Sequence, residues 1–185
     1  MKQLVILDRD GVINTDSPHY IKSPEEWHPI PGSLEAIARL NQAGFLVAVA
    51  TNQSGVARGF YSLETLEKIH QKMQTECAQY GGTIEAIFFC AHGPEEGCDC
   101  RKPKPGLYHQ IARHFNVDLK ETAIPAIGDS LRDLEAAKAS GCLPVLVLTG
   151  NGKKTQQNLP PEFNAIPIYG NLALAVEALL NGELS

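Results

Sequence analysis

No apolar run in these 185 residues approaches membrane-spanning length, and the short one near the N-terminus is broken by Asp8, so neither a transmembrane helix nor a secretory signal is expected. Surplus positive charge is missing too. Lysine and arginine number 16 against 21 aspartates and glutamates, a formal net charge of -5, which argues against a nucleic-acid surface built on clustered cations. The cysteines do not suggest a disulfide framework: there are five, and Cys90, Cys98 and Cys100 crowd into one short stretch, as metal ligands do. No internal repeat or low-complexity segment is present. A soluble, cytoplasmic chain is expected, with residues 1–185 forming one domain that buries roughly 70% of its unfolded surface.

What is present is an alternation of short apolar runs and amphipathic segments. Leu4-Val5-Ile6-Leu7 reads as a strand buried on both faces, and it delivers Asp8-Arg9-Asp10-Gly11. Residues at i and i+2 of an extended chain leave on the same side, so Asp8 and Asp10 can address one reaction centre. About twenty aperiodic residues with Pro18, Pro24, Pro29 and Pro31 follow, a loop long enough to cover a site. Further strands are expected over 45–50, 84–90, 122–127 and 144–148. Helices are expected from a Ser33 cap to Gly44, from Ser62 to Gly81-Gly82, and over 107–115, 130–140 and 171–180. Met73, Tyr80, Cys77 and Cys142 read as core. Such alternation implies right-handed βαβ units and a doubly wound parallel α/β sheet, whose ligand crevice lies at the carboxyl ends of its strands.

The polar residues collect at those ends: Asp8 and Asp10, then Thr51, Cys90 and Asp129. Phosphoryl transfer needs a nucleophile, a cation on the phosphoryl oxygens and fixed donors around them. Asp8 can attack phosphorus. Asp10 can protonate the leaving oxygen and then activate water, provided its surroundings keep it partly protonated above the ~3.9 of a free aspartate. Asp129, with Asp133 a turn later, offers hard oxygen ligands for magnesium. Thr51 can donate a hydroxyl and Lys102 a positive charge. Other phosphate and metal motifs do not fit. An EF-hand counted from Asp8 would place Ile13 and His19 where glycine and glutamate belong, and Gly150 to Thr155 lacks the P-loop ending, reading instead as a solvated loop. A receiver domain would have no use for the cysteine loop.

Taken in order, Asp8-Arg9-Asp10-Gly11, Thr51-Asn52-Gln53, Lys102-Pro103 and Gly128-Asp129 with Asp133 resemble the four motifs of the haloacid-dehalogenase superfamily of phosphatases, over nearly the whole chain. The resemblance implies Asp8 as the phospho-accepting nucleophile, Asp10 as acid/base, and Thr51 and Lys102 as phosphoryl stabilisers. It also implies magnesium held by Asp8, the Asp10 main-chain oxygen and Asp129, on a core without a large cap domain.

Cys90, His92, Cys98 and Cys100 lie in one glycine-bearing loop, 90–100, and a four-ligand set of this kind suits a closed, structural zinc site. Arg101 and Lys102 follow the last ligand, so fixing the loop fixes them. With Ser54 to Gly59, this loop is similar to that of the histidinol-phosphate phosphatase-like subfamily. That likeness implies hydrolysis of the C7 phosphate of D-glycero-D-manno-heptose 1,7-bisphosphate, a small sugar bisphosphate, by a monomer with no nucleic-acid or membrane partner. Histidinol phosphate is the alternative substrate, and a non-catalytic zinc-stabilised binding module the alternative class. The family pattern implies substrate contacts from Asp16, His19, Tyr20, Asn52, Gln53, Ser54 and Arg101. Ser130 stands where some members carry a substrate-binding lysine, with Arg58, Lys153 and Lys154 as candidate replacements. Arg101 can hold a second phosphate through paired hydrogen bonds. Lys104 reads as a surface residue or a secondary phosphate contact.

Overall fold

The computed structural model describes residues 3–120 and 123–184. Its strands are β1 (Gln3–Leu7), β2 (Phe45–Asn52), β3 (Ala86–Cys90), β4 (Pro125–Gly128), β5 (Leu143–Val147) and β6 (Ile168–Tyr169). They form one parallel sheet in the order β3-β2-β1-β4-β5-β6. The helices are α1 (Ser33–Gln42), α2 (Leu63–Gln79), α3 (Gly106–Phe115), α4 (Leu131–Ser140), α5 (Gly152–Gln157) and α6 (Leu172–Leu180).

The period-two alternation of β1 explains why helices cover both faces. Val5 and Leu7 join Val47, Val49, Ile127, Val145 and Val147 in a core completed by α1, α2 and α6. Leu4 and Ile6 leave on the other side and meet Ala48, Ala50 and Ala126 under α3 and α4. Each fully buried Leu or Ile contributes roughly 1.5–3 kcal/mol, so neither face of the sheet can be left to water. Cys77, Cys142 and Met73 are buried as expected. Among the described residues no helix is long and apolar enough to cross a membrane.

Several sequence expectations are corrected. Ser33 does not cap α1: it is the first helical residue, Gly32 takes the cap position, and the Ser33 hydroxyl donates to the Ile13 carbonyl at 2.6 Å. Tyr80 is half exposed because it falls at the C-cap of α2, past the last buried position, Cys77. The stretch from Gly150 is largely exposed, as expected, but is not all loop: α5 starts at Gly152, and Gly150 and Asn151 lie against the Asp129 carboxylate. β6, two residues long, is too short to show any periodicity. Thr122 lies outside the described residues, and β4 runs over Pro125–Gly128. The proline-rich segment is a fixed wall, anchored by buried Val12, Ile13, Ile21 and Trp27, with Lys72 of α2 donating to the Pro24 and Trp27 carbonyls.

Candidate active site

Chain order along the sheet reverses beside β1, between β2 and β4, and the crevice opens there. Leu7 pairs with Val49 on one side and Ile127 on the other, so Asp8, Thr51 and Asp129 emerge at one level. The Asp8 amide still donates to the Ile127 carbonyl at 2.9 Å, which fixes the start of the turn. Gly11, at φ +81°, and Gly150, at φ +56°, lie against the Asp129 carboxylate. A side chain on either would occupy its place, and both adopt the left-handed backbone that favours glycine.

Lys102 is buried and uses all three ammonium donors. Its Nζ lies 2.6 Å from Asp133 Oδ1, 2.7 Å from the Ala50 carbonyl and 3.0 Å from Asp8 Oδ1. Burial alone would lower its pKa, but Asp133 and Asp8 outweigh it and push the group upward, so the cation is permanent. Asp133 is consumed by this work: its Oδ2 accepts from the Asp129 and Ser130 amides and from Ser130 Oγ at 2.7 Å. The Ser130 hydroxyl is thereby turned inward.

Asp8 is raised to about 7 by burial and by Asp133, with Lys102 opposing. Asp129 is raised to about 8 by burial and by the Asp8 and Asp133 charges. Two carboxylates held this close favour either a proton or a cation between them. The oxygens of Asp8, Asp129 and Asp133 lie within 4.8 Å of one another. Asp133 is saturated by donors, whereas Asp8 Oδ2, Asp129 Oδ1 and the Asp10 main-chain oxygen accept no hydrogen bond among the described residues. These three fit a hard divalent cation.

Asp10 differs. Burial pushes its carboxyl up, but Arg9 and hydrogen bonds from Asn14, Gln53 and Arg9 outweigh that and hold it below the ordinary carboxylate range. The proviso that Asp10 rests partly protonated is therefore not met by the protein groups alone.

The other expected residues fall as follows. Thr51 Oγ1 accepts from Gln53 Nε2 at 2.8 Å, which leaves its own proton for the cavity. Asn52 clamps the Lys102 backbone on both sides, at 3.0 and 3.1 Å. Gln53 is fully engaged by Asp10, Thr51, Arg9 and Tyr61. Asp16, Tyr20, Ser54, Arg101 and Ser130 line the cavity, of about 380 Å³, whereas His19 is exposed and outside its lining. Lys104 is exposed and donates to the Cys98 carbonyl, and Lys153 and Lys154 stand outside the lining.

Arg9, His70, Arg132 and Asn151 were given no role from the sequence. Arg9, inside the first motif, and Arg132, two residues past Ser130 in the first turn of α4, carried a sequence signal. Arg58, Arg101 and Arg132 line the mouth, and among the described residues none of the three makes an ion pair.

Beside the cleft, the Cys98 sulfur lies 3.6 Å from those of Cys90 and Cys100. His92 Nδ1 lies 3.5 Å from Cys90 and 3.3 Å from Cys100. A tetrahedron of ~2.3 Å metal–sulfur bonds has edges of about 3.8 Å, so the four ligands are already near the spacing zinc requires.

A carboxylate at the end of β1 beside an anchored lysine and an acidic pair, on this strand order, is the arrangement of a hydrolase of the haloacid-dehalogenase type. The HAD-hydrolase-like family model matches residues 99–173. Whole-chain similarity is narrower still. The chain is 55% identical over 180 residues to the D-glycero-beta-D-manno-heptose-1,7-bisphosphate 7-phosphatase of Bordetella bronchiseptica, covering 96% of this chain and 98% of that one. It is 55% identical over 179 residues to the Pseudomonas aeruginosa enzyme of the same name, with 97% and 98% coverage. The crystal structure of the B. bronchiseptica D,D-heptose 1,7-bisphosphate phosphatase, complexed with magnesium and phosphate, superposes with a TM-score of 0.92 at 54% identity, over 97% of this chain and 99% of that one. The chain belongs to this family of heptose-bisphosphate phosphatases.

Proposed function

We propose that the protein hydrolyses the C7 phosphate of D-glycero-β-D-manno-heptose 1,7-bisphosphate, working in the cytoplasm as a monomeric, single-domain enzyme whose loops, rather than a cap domain, govern access. The observation that carries this reading is the two-tier charge of the cleft. Its floor is acidic and holds one buried lysine, whereas its rim presents Arg58, Arg101 and Arg132 without carboxylate partners. A substrate with one phosphate to react and a second to be held matches both tiers.

Asp8, the Asp10 main-chain oxygen and Asp129 would hold a magnesium ion, which when bound neutralises charge on the phosphoryl oxygens. Asp8 attacks phosphorus in line with the C7 oxygen. The phosphorus–oxygen bond to the sugar breaks, the sugar oxygen takes a proton from Asp10, and an aspartyl phosphate forms on Asp8. Water then gives its proton to Asp10 and attacks the same phosphorus, releasing inorganic phosphate and restoring Asp8. Thr51 donates to the phosphoryl group, and Lys102 fixes Asp8 and adds positive charge. The incoming phosphate dianion supplies what the protein lacks, since its charge raises Asp10 toward the protonated form that the first step uses. Cys90, His92, Cys98 and Cys100 would hold a structural zinc ion that sets Arg101 and Lys102.

Side-by-side phosphate release, with magnesium, from the α and β bisphosphate anomers and from histidinol phosphate tests the reading. A large kcat/KM advantage for the β-bisphosphate is expected. Preference for histidinol phosphate would overturn it.

A further inference from the structure

Behind Asp10 lies a polar cluster in which Gln53 reaches the cavity but Arg9, Tyr61 and His70 do not line it. The Arg9 guanidinium is fully buried and folds back on the next residue. Its Nε lies 3.0 Å from Asp10 Oδ1, and one terminal nitrogen lies 2.9 and 3.1 Å from the two carboxylate oxygens. Arg9 lies in the bend that follows β1, where a guanidinium folded back on its own neighbour is steadied by an anchor. α2 provides one: His70 Nε2 is 3.1 Å from the other terminal nitrogen of Arg9. Because arginine only donates, His70 accepts through Nε2 and carries its proton on Nδ1. Gln53 Oε1 accepts from Arg9 at 3.2 Å and is itself held by the Tyr61 hydroxyl at 2.7 Å. His70 is 7% exposed and packs beside the Phe89 ring, with 5.9 Å between centroids. Burial and the Arg9 charge push it down to about 3, so it stays a neutral acceptor at any working pH.

We infer that His70 is a positioning residue for the acid/base step: by accepting from Arg9 it fixes the guanidinium that aims the Asp10 carboxylate at the leaving oxygen. The inference rests on the assignment of Asp10 as acid/base. The competing view is that His70 only satisfies a buried arginine. The two differ in which chemical step responds, because an alkoxide needs a proton in order to leave whereas p-nitrophenolate does not.

The experiment is first-turnover release of the leaving group from the heptose bisphosphate and from p-nitrophenyl phosphate, in His70→Gln and His70→Asn. Glutamine reaches far enough to offer its carbonyl to Arg9, and asparagine is too short. His70→Asn is expected to slow release from the sugar phosphate by about 10- to 100-fold, part of the ~10²–10⁴ a general acid supplies, with KM within about twofold and aryl release changed less than about threefold. His70→Gln is expected to recover most of the loss. Equal effects on both substrates, or no effect in His70→Asn, would overturn the positioning role. Full alkyl turnover in Asp10→Asn would instead overturn the reading beneath it.

Discussion

Asp133 and Lys102 show how far one substitution reaches at the residue scale. Every partner of the Asp133 carboxylate is a donor: Lys102 Nζ, two main-chain amides and the Ser130 hydroxyl. In Asp133→Asn, therefore, the amide NH₂ must face a donor whichever way it turns, and Lys102 loses its shortest ion-pair contact. A loss of roughly 3–5 kcal/mol is expected in urea unfolding, as for other broken buried pairs, and a change under about 1 kcal/mol would contradict the assignment. The proposed reactive residues were legible in the sequence because Asp8 and Asp129 follow β1 and β4 directly, Thr51 sits at the end of β2, and Lys102 follows the cysteine loop. Their supports were not. His70 meets Arg9 across 61 residues and Asn151 meets Asp129 across 22, and neither separation leaves a local pattern.

Among the elements, the 90–100 loop links the proposed zinc ligands to the site. Its last ligand is followed at once by Arg101, whose guanidinium approaches the His92 carbonyl, and by Lys102, whose backbone is clamped by Asn52 of β2. Removing zinc with a chelator is expected to lower both the melting temperature and phosphate release, with recovery on adding zinc back. Full activity in a preparation shown to be zinc-free would contradict the coupling. Cap chemistry made other elements readable. Ser62 accepts from the Thr65 amide and Asn171 from the Leu174 amide, so the starts of α2 and α6 were marked in sequence. Ser62→Ala should cost about 1 kcal/mol in urea unfolding. Ser33 misled because a hydroxyl has other carbonyls to serve, and α5 was hidden because its first turn is glycine and lysine with no apolar spacing.

For the whole molecule, Asp8 and Asp129 in the acidic floor contribute a pH dependence of stability in the less usual direction, opposite to that of the lowered Asp10 and Asp133. Asp8 and Asp129 are raised on folding to about 7 and about 8, so between the ordinary carboxylate range and those values the folded state binds more protons than the unfolded one. Stability supplied by these two groups therefore falls as pH rises through that window, the reverse of a salt-bridged aspartate. A magnesium ion held there would replace the protons, so magnesium is expected to raise the melting temperature more at pH 8 than at pH 5.5, measured on zinc-loaded protein. An equal shift at both values would contradict the paired-carboxylate site. The doubly wound sheet was legible because buried strands and amphipathic helices alternate. The edge strand β6 and the close packing of Gly11 and Gly150 on Asp129 depend on tertiary contacts that no local pattern encodes. The most direct test of the central claim is acid quenching of the Asp10→Asn enzyme during turnover of p-nitrophenyl phosphate, whose leaving group needs no proton from Asp10, followed by mass spectrometry of the Asp8 peptide. That substitution slows the step that consumes the intermediate. The account expects the peptide to be heavier by one phosphoryl group, an increment absent when Asp8 is also replaced by asparagine. Continued phosphate release from Asp8→Asn, with no phosphorylated peptide in either protein, would contradict it.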